Sequence, residues 1–172
     1  SIHMVIVRII TSLPAFSIIA REKETVRLGD RDPQTGNLTP EAIDRAVGAL
    51  KRCQEVAKSL NVHQIFAVAT SAVREAPNGH EFVRSIETEL GLAVNIISGQ
   101  EEARRIYLGV LSGVEFNNIP LLIIDIGGGS TELILGDSHE PRTLSSTKIG
   151  AVRLTSEFLS VNPVSDRSLS YL

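Results

Sequence analysis

Residues 121–136, Leu-Leu-Ile-Ile-Asp-Ile-Gly-Gly-Gly-Ser-Thr-Glu-Leu-Ile-Leu-Gly, restrict the possible folds of this chain more than any other stretch. An apolar run from Leu121 to Ile124 reads as a buried strand that ends on the carboxylate of Asp125. Gly127, Gly128 and Gly129 follow, then the hydroxyls of Ser130 and Thr131, a second acid, Glu132, and a second apolar run. Glycines let a backbone approach a ligand closely, so that successive N–H groups converge on an anion. Two acids beside such a cradle would repel bare phosphate but suit a hydrated Mg²⁺ ion, or another divalent cation, that accompanies it. A glycine-rich hairpin that bound nothing would need neither acid. No lysine follows the glycines, so this is not a P-loop. The chain also runs from strand to strand rather than strand to helix, which sets it apart from a dinucleotide-binding turn.

Composition narrows the partners. The net charge is −3, so no global field draws in a polyanion, and a phosphate-rich ligand must be held by local groups. Nucleic acid is not an expected main partner on that balance. The single cysteine, Cys53, rules out an intrachain disulfide, fits a reducing cytoplasm and falls on the apolar face of a helix. No secretory leader and no apolar run long enough to span a bilayer is evident, so no membrane partner is expected.

Taken in order, Ile2–Ile10, Phe16–Ala20 and Glu24–Leu28 read as three strands of an antiparallel meander, with a turn at Leu13-Pro14-Ala15. Thr39 caps a helix with Pro40 at its first position, and Ile43, Ala46, Val47, Leu50, Cys53, Ala57 and Leu60 share one face. Gln64–Ala69 reads as a buried strand. Asn78 caps a second helix that lines up Phe82, Ile86 and Leu90 and ends at Gly91. Ala93–Ile97 is a strand, Gln100–Leu111 a helix, Arg142–Lys148 a strand and Ala151–Leu159 a last helix stopped by Pro163, with an irregular tail to Leu172. Ser1–Val7 mirrors Ser130–Gly136, a serine leading into an apolar strand in each.

Two further segments follow strands, where open α/β sheets place ligands. In Ala69–Ala76, Arg74 could clamp phosphate oxygens through its fork, with Thr70 and Ser71 adding hydroxyls; an exposed Arg74–Glu75 neighbourhood is the plainer reading. In Ser98–Arg105, Glu101 and Glu102 sit in a first helical turn, where the dipole favours a carboxylate whether or not it has a task. His3, His63, His80 and His139 show no metal-ligand spacing.

Asp-Ile-Gly-Gly-Gly-Ser-Thr-Glu at 125–132 resembles the second phosphate loop of the exopolyphosphatase and guanosine pentaphosphate phosphohydrolase family, within the actin, Hsp70 and sugar-kinase superfamily. Thr-Ser-Ala-x-Arg at 70–74, Gly-x-Glu-Glu-Ala at 99–103 and Lys-Ile-Gly-Ala-Val-Arg-Leu at 148–154 resemble further segments of that family. The resemblance implies an α/β, actin-like ATPase (ribonuclease H-like) fold with a mixed sheet and flanking helices. Residues 1–120 would be a first domain lacking its initial strand and phosphate loop, and 121–172 the beginning of a second. It further implies hydrolysis of terminal phosphoanhydride bonds of polyphosphate or guanosine pentaphosphate. Gly127, Gly128, Gly129, Ser130, Thr131, Arg74 and Ser71 would hold phosphate, and Asp125 and Glu132 would hold Mg²⁺. Glu102, with Glu101 second, would activate water, while Lys148, Gly150 and Arg153 line the cleft. A homodimer is the expected state of the full-length protein. A superfamily kinase or ATPase, or a non-catalytic phosphate-binding module, stands as the alternative class; this chain reaches no adenosine-binding segment.

Overall fold

A computed structural model describes residues 1–10, 12, 15–114 and 119–159. The chain is mixed α/β, with sheets of two, two and three strands among those residues. It divides by packing into two compact units. The first comprises Ser1–Val68 and Glu75–Asn95, and the second Ala69–Arg74 and Ile96–Leu172. The expected turn at Leu13-Pro14 and helix stop at Pro163 lie outside the described residues.

In the first unit, strands β1 (Ile2–Ile10) and β2 (Ala15–Glu24) pair antiparallel from Ile2↔Glu24 to Ile10↔Ala15, with a register shift between Ile6 and Val7. The third strand expected at Glu24–Leu28 does not form. Arg27 has a left-handed backbone at φ 46°, which breaks the extended run, and the Val26 carbonyl accepts from Arg45 Nε at 2.9 Å instead of a neighbouring strand. Helix α1 (Pro40–Ser59) starts as its sequence dictates, with Thr39 Oγ1 accepting from Ala42 N at 3.2 Å. Its buried face is a stripe of alanines, Ala42, Ala46, Ala49 and Ala57, while Leu60 at the end of the expected apolar face is exposed.

Strand β3 (Ala67–Ala69) is shorter than the expected Gln64–Ala69 and is not buried; Phe66 is 82% exposed. After it comes an unexpected single turn of helix, α2 (Ser71–Arg74). Helix α3 (Gly79–Leu90) begins after Asn78, but that side chain does not cap it: Asn78 Oδ1 accepts from Leu38 N at 2.9 Å and Nδ2 donates to Leu38 O at 3.1 Å. The helix ends on Gly91, whose φ is 62° and whose N–H donates to Glu87 O at 2.9 Å. A Cβ at Gly91 would meet open space, so only the backbone opposes one there. Gly91→Ala is therefore expected to cost about 1–2 kcal/mol by thermal or urea unfolding, with activity unchanged. Strand β4 (Val94–Ile96) pairs with β3.

In the second unit, helix α4 (Gly99–Leu111) packs on a three-stranded antiparallel sheet of β5 (Leu121–Ile126), β6 (Thr131–Gly136) and β7 (Pro141–Thr147). Ala103 and Tyr107 from the helix meet Ile134 from β6, flanked by Ile106, Leu111, Ile123 and Leu144. Tyr107 Oη donates to Asp137 O at 2.6 Å, and its ring lies over Gly136, where a Cβ would stand 2.8 Å from Cε2. The strand expected to be buried at Leu121–Ile124 is instead open on one face, with Leu122 and Ile124 62% and 55% exposed, and lies at the edge of the sheet among the described residues. Helix α5 (Ala151–Phe158) completes the described residues, starting one residue after Gly150.

Candidate active site

The glycine turn joins β5 to β6. In their register Asp125 stands opposite Glu132, so the two acids share one face of the hairpin. Their surroundings differ: Asp125 is exposed and Glu132 is buried. The turn is held through its carbonyls. Gly127 O accepts from Ala151 N at 2.9 Å, and Gly128 O accepts from Val152 N at 2.9 Å and Arg153 N at 3.1 Å. Gly129 O takes a further bond from Arg153 Nε at 3.1 Å. The first N–H groups of α5 are thus committed to the turn. Gly127 N donates to Ser130 O at 2.9 Å, whereas the amides of Gly128 and Gly129 meet no acceptor among the described residues. Two free N–H groups on a glycine turn are what an anion site requires. The Thr131 hydroxyl donates to Ile149 O, so it braces the turn. Ser130 is buried beside it.

The turn also comes close to α2. A Cβ at Gly129 would lie 2.6 Å from Ser71 Oγ, so only glycine lets the two meet. Three residues on, Arg74 Nη1 donates to Ile97 O at 2.8 Å and to Glu102 Oε2 at 3.0 Å. This is a part-buried ion pair, not the exposed Arg74–Glu75 neighbourhood that was the plainer expectation. Glu102 lies in the first turn of α4, which Ser98 caps by accepting from Glu101 N at 3.1 Å. Burial pushes the Glu102 carboxyl above its ordinary value; the Arg74 hydrogen bond opposes this, and the negative charge of Glu132 adds to it. The Thr70 side chain, like Arg74, favours the ionised form of Glu102.

Its neighbour behaves oppositely. Glu101 accepts from Arg104 Nε at 2.7 Å and Arg105 Nε at 2.8 Å on the exposed side of the helix. Those two guanidinium contacts pull its carboxyl down to about 2. A carboxylate so firmly ionised is a poor proton acceptor near neutrality, whereas the other glutamate pairs with Arg74 and feels the charge of Glu132.

A model of the Ppx/GppA phosphatase family matches residues 5–172. This chain belongs to that family. A Haemophilus influenzae protein named "Putative exopolyphosphatase" is 35% identical over 158 residues, covering 92% of this chain and 48% of that protein. The crystal structure of an exopolyphosphatase from Cytophaga hutchinsonii superposes with a TM-score of 0.89 at 32% identity, covering 98% of this chain and 54% of that one. An Aquifex aeolicus Ppx/GppA structure gives 0.77 at 30% identity, covering 98% and 54%. The Ppx/GppA chain described here thus spans about half the length of the relatives it matches.

Sequence reasoning missed Ser146 and the close approach of Gly99 to it. Ser146 is the register partner of Glu132 on β7, and its Oγ donates to Glu132 Oε1 at 2.7 Å. A Cβ at Gly99 would lie 2.6 Å from both Cβ and Oγ of Ser146, so glycine lets the α4 N-terminus close onto β7. Nothing in the spacing of a serine fourteen residues beyond an acid signals this; only strand pairing creates it. Among the described residues of this Ppx/GppA chain no three His, Cys, Asp or Glu side chains gather into a complete metal-ligand set. The donor chemistry nonetheless fits Mg²⁺, which commonly uses one or two carboxylates together with phosphate oxygens and water. Asp125 and Glu132 on one hairpin face supply such a pair.

Proposed function

We propose that this chain carries the hydrolytic centre of an exopolyphosphatase, releasing orthophosphate from the ends of inorganic polyphosphate with Mg²⁺. The observation that carries the reading is Glu102, a part-buried carboxylate with a raised affinity for protons, beside Arg74 and the second acid Glu132. In this reading the terminal phosphate lies on the Gly128 and Gly129 amides near Ser71. Glu102 accepts a proton from water as the water oxygen bonds to phosphorus, and the bridging P–O bond breaks on the opposite side. Arg74 holds Glu102 in place and offers positive charge as negative charge builds on the phosphate. Bound at Asp125 and Glu132, Mg²⁺ would neutralise phosphate charge. The reading brings with it an actin-like, ribonuclease H-like architecture, a cytoplasmic homodimer and a cleft that excludes water on closure.

The test is phosphate release by the full-length protein that carries this chain, on long-chain polyphosphate and on guanosine pentaphosphate side by side, with and without Mg²⁺. Faster Mg²⁺-dependent turnover of polyphosphate is the expected result. Preference for guanosine pentaphosphate would move the same site to the other branch of the family. No release from either by folded protein would sink the hydrolase reading and leave a phosphate-binding module.

A further inference from the structure

Glu132 is unusual among the acids of this site. It is 1% exposed, yet among the described residues its carboxylate meets no guanidinium or ammonium group, and its hydrogen-bond donor is the neutral hydroxyl of Ser146. Glu102, by contrast, has Arg74, and Glu101 has Arg104 and Arg105. A buried carboxylate supported by one neutral donor is costly unless a cation joins it. What the fold does provide is control of its orientation. Strand register sets Ser146 and Glu132 side by side, and the start of α4 passes so near Ser146 that a Cβ at Gly99 would lie 2.6 Å from its Oγ. Thr147, the next residue on β7, bonds to Thr131 O at 3.1 Å and serves the turn instead.

We propose that Ser146 is a positioning residue that anchors one oxygen of Glu132, so that the other is presented to a divalent cation at the glycine turn. The inference rests on the reading of the site as a Mg²⁺-assisted phosphohydrolase. It adds a residue that touches neither substrate nor cation and acts through Glu132. Groups that fix a metal ligand's orientation commonly change metal affinity by about 10–100-fold when removed.

The experiment measures Mn²⁺ binding to the full-length protein by electron paramagnetic resonance, without substrate, for wild type, Ser146→Ala, Glu132→Gln and the double variant. Circular dichroism melts establish that each is folded. Weakening of about tenfold in Ser146→Ala is expected, with the double variant no weaker than Glu132→Gln alone. Should Ser146→Ala not fold, Ser146→Thr, which keeps the hydroxyl, and Ser146→Cys, which replaces it with a weak donor of similar size, carry the same comparison. Wild-type affinity in the variant lacking the hydroxyl, or losses that add in full in the double variant, would overturn the proposal. Phosphate release, assayed in parallel, separates the two failures. Wild type that hydrolyses while Ser146→Ala binds Mn²⁺ normally removes only the role of Ser146. Wild type that neither binds Mn²⁺ nor hydrolyses removes the underlying reading as well.

Discussion

Replacing Glu102 by glutamine is expected to lower kcat on polyphosphate by about 10²–10⁴, the range of a lost general base, with a much smaller change in KM. Glutamine keeps the size of the side chain and an oxygen for Arg74 but cannot accept a proton. The corresponding change at Glu101 should matter at least tenfold less, because that carboxylate is tied to Arg104 and Arg105 and faces away from the site. The pH dependence supplies an independent readout. Burial raises the Glu102 carboxyl above the ordinary glutamate value of 4.5. The ionised carboxylate is therefore depleted at acid pH, and if it is the base kcat/KM should fall on an acid limb whose midpoint lies above 4.5. That limb should vanish from the residual activity of the Gln variant.

The same shift has a consequence for stability. The folded state holds the Glu102 proton more tightly than the unfolded chain does. Its contribution to stability is therefore present below the unfolded value and is lost as pH rises through the raised folded value. Glutamine does not titrate, so the variant's melting temperature at neutral pH should equal or exceed that of the wild type while its activity collapses. A variant that lost both together would indicate a structural glutamate and would count against its role as base.

Some of this was legible in the sequence, and the reasons differ by element. The hairpin at 121–136 was, because two apolar runs flank a glycine turn, although the register that sets Asp125 opposite Glu132 comes from the structure. The start of α1 was, since Thr39 and Pro40 satisfy and preset the first turn locally. The glutamate pair was readable only as a pair. Choosing between its members depends on Arg74, which lies twenty-eight residues away from Glu102 and reaches it only through the fold. Segment 24–28 failed for a related reason: its composition suits a strand, but Arg27 turns left-handed and Arg45 supplies the donor to Val26. The buried face of α1 was also only partly readable, since its closest contacts use alanines and leave Leu60 in solvent. Ser146 carries no local signal at all, and Gly99, though part of the Gly-x-Glu-Glu-Ala segment, gives no sign in the sequence of its closeness to Ser146.

The most damaging conservative change in the chain should be Gly150→Ala. The backbone there is extended, at φ −139° and ψ 155°, so any residue could adopt it and the requirement is purely one of space. A Cβ would stand 2.5 Å from Gly128 C, from Gly128 O and from Gly129 C. All three are backbone atoms, so no change of rotamer can relieve the overlap, and the glycine turn itself must move. Displacing it would pull Gly127 O and Gly128 O from the N–H groups of Ala151 and Val152, which now lie at 2.9 Å. Overpacking of this kind costs about 1–3 kcal/mol. A reacting group shifted by about 1 Å loses roughly 10² in rate. Both a lower melting temperature and a fall of about 10² or more in kcat/KM are therefore expected. Two other glycines calibrate the result. A Cβ at Gly128 would meet Val152 Cγ2 at 3.3 Å, a side-chain contact that can yield, so Gly128→Ala should be milder. Gly109, within α4, has open space around it. Gly109→Ala should accordingly stabilise the protein, by up to about 1 kcal/mol. If Gly150→Ala instead melted and turned over like the wild type, the glycine turn would not be wedged by the start of α5. The amides of Gly128 and Gly129 would then lack the rigid support that the proposed phosphate binding at this turn requires.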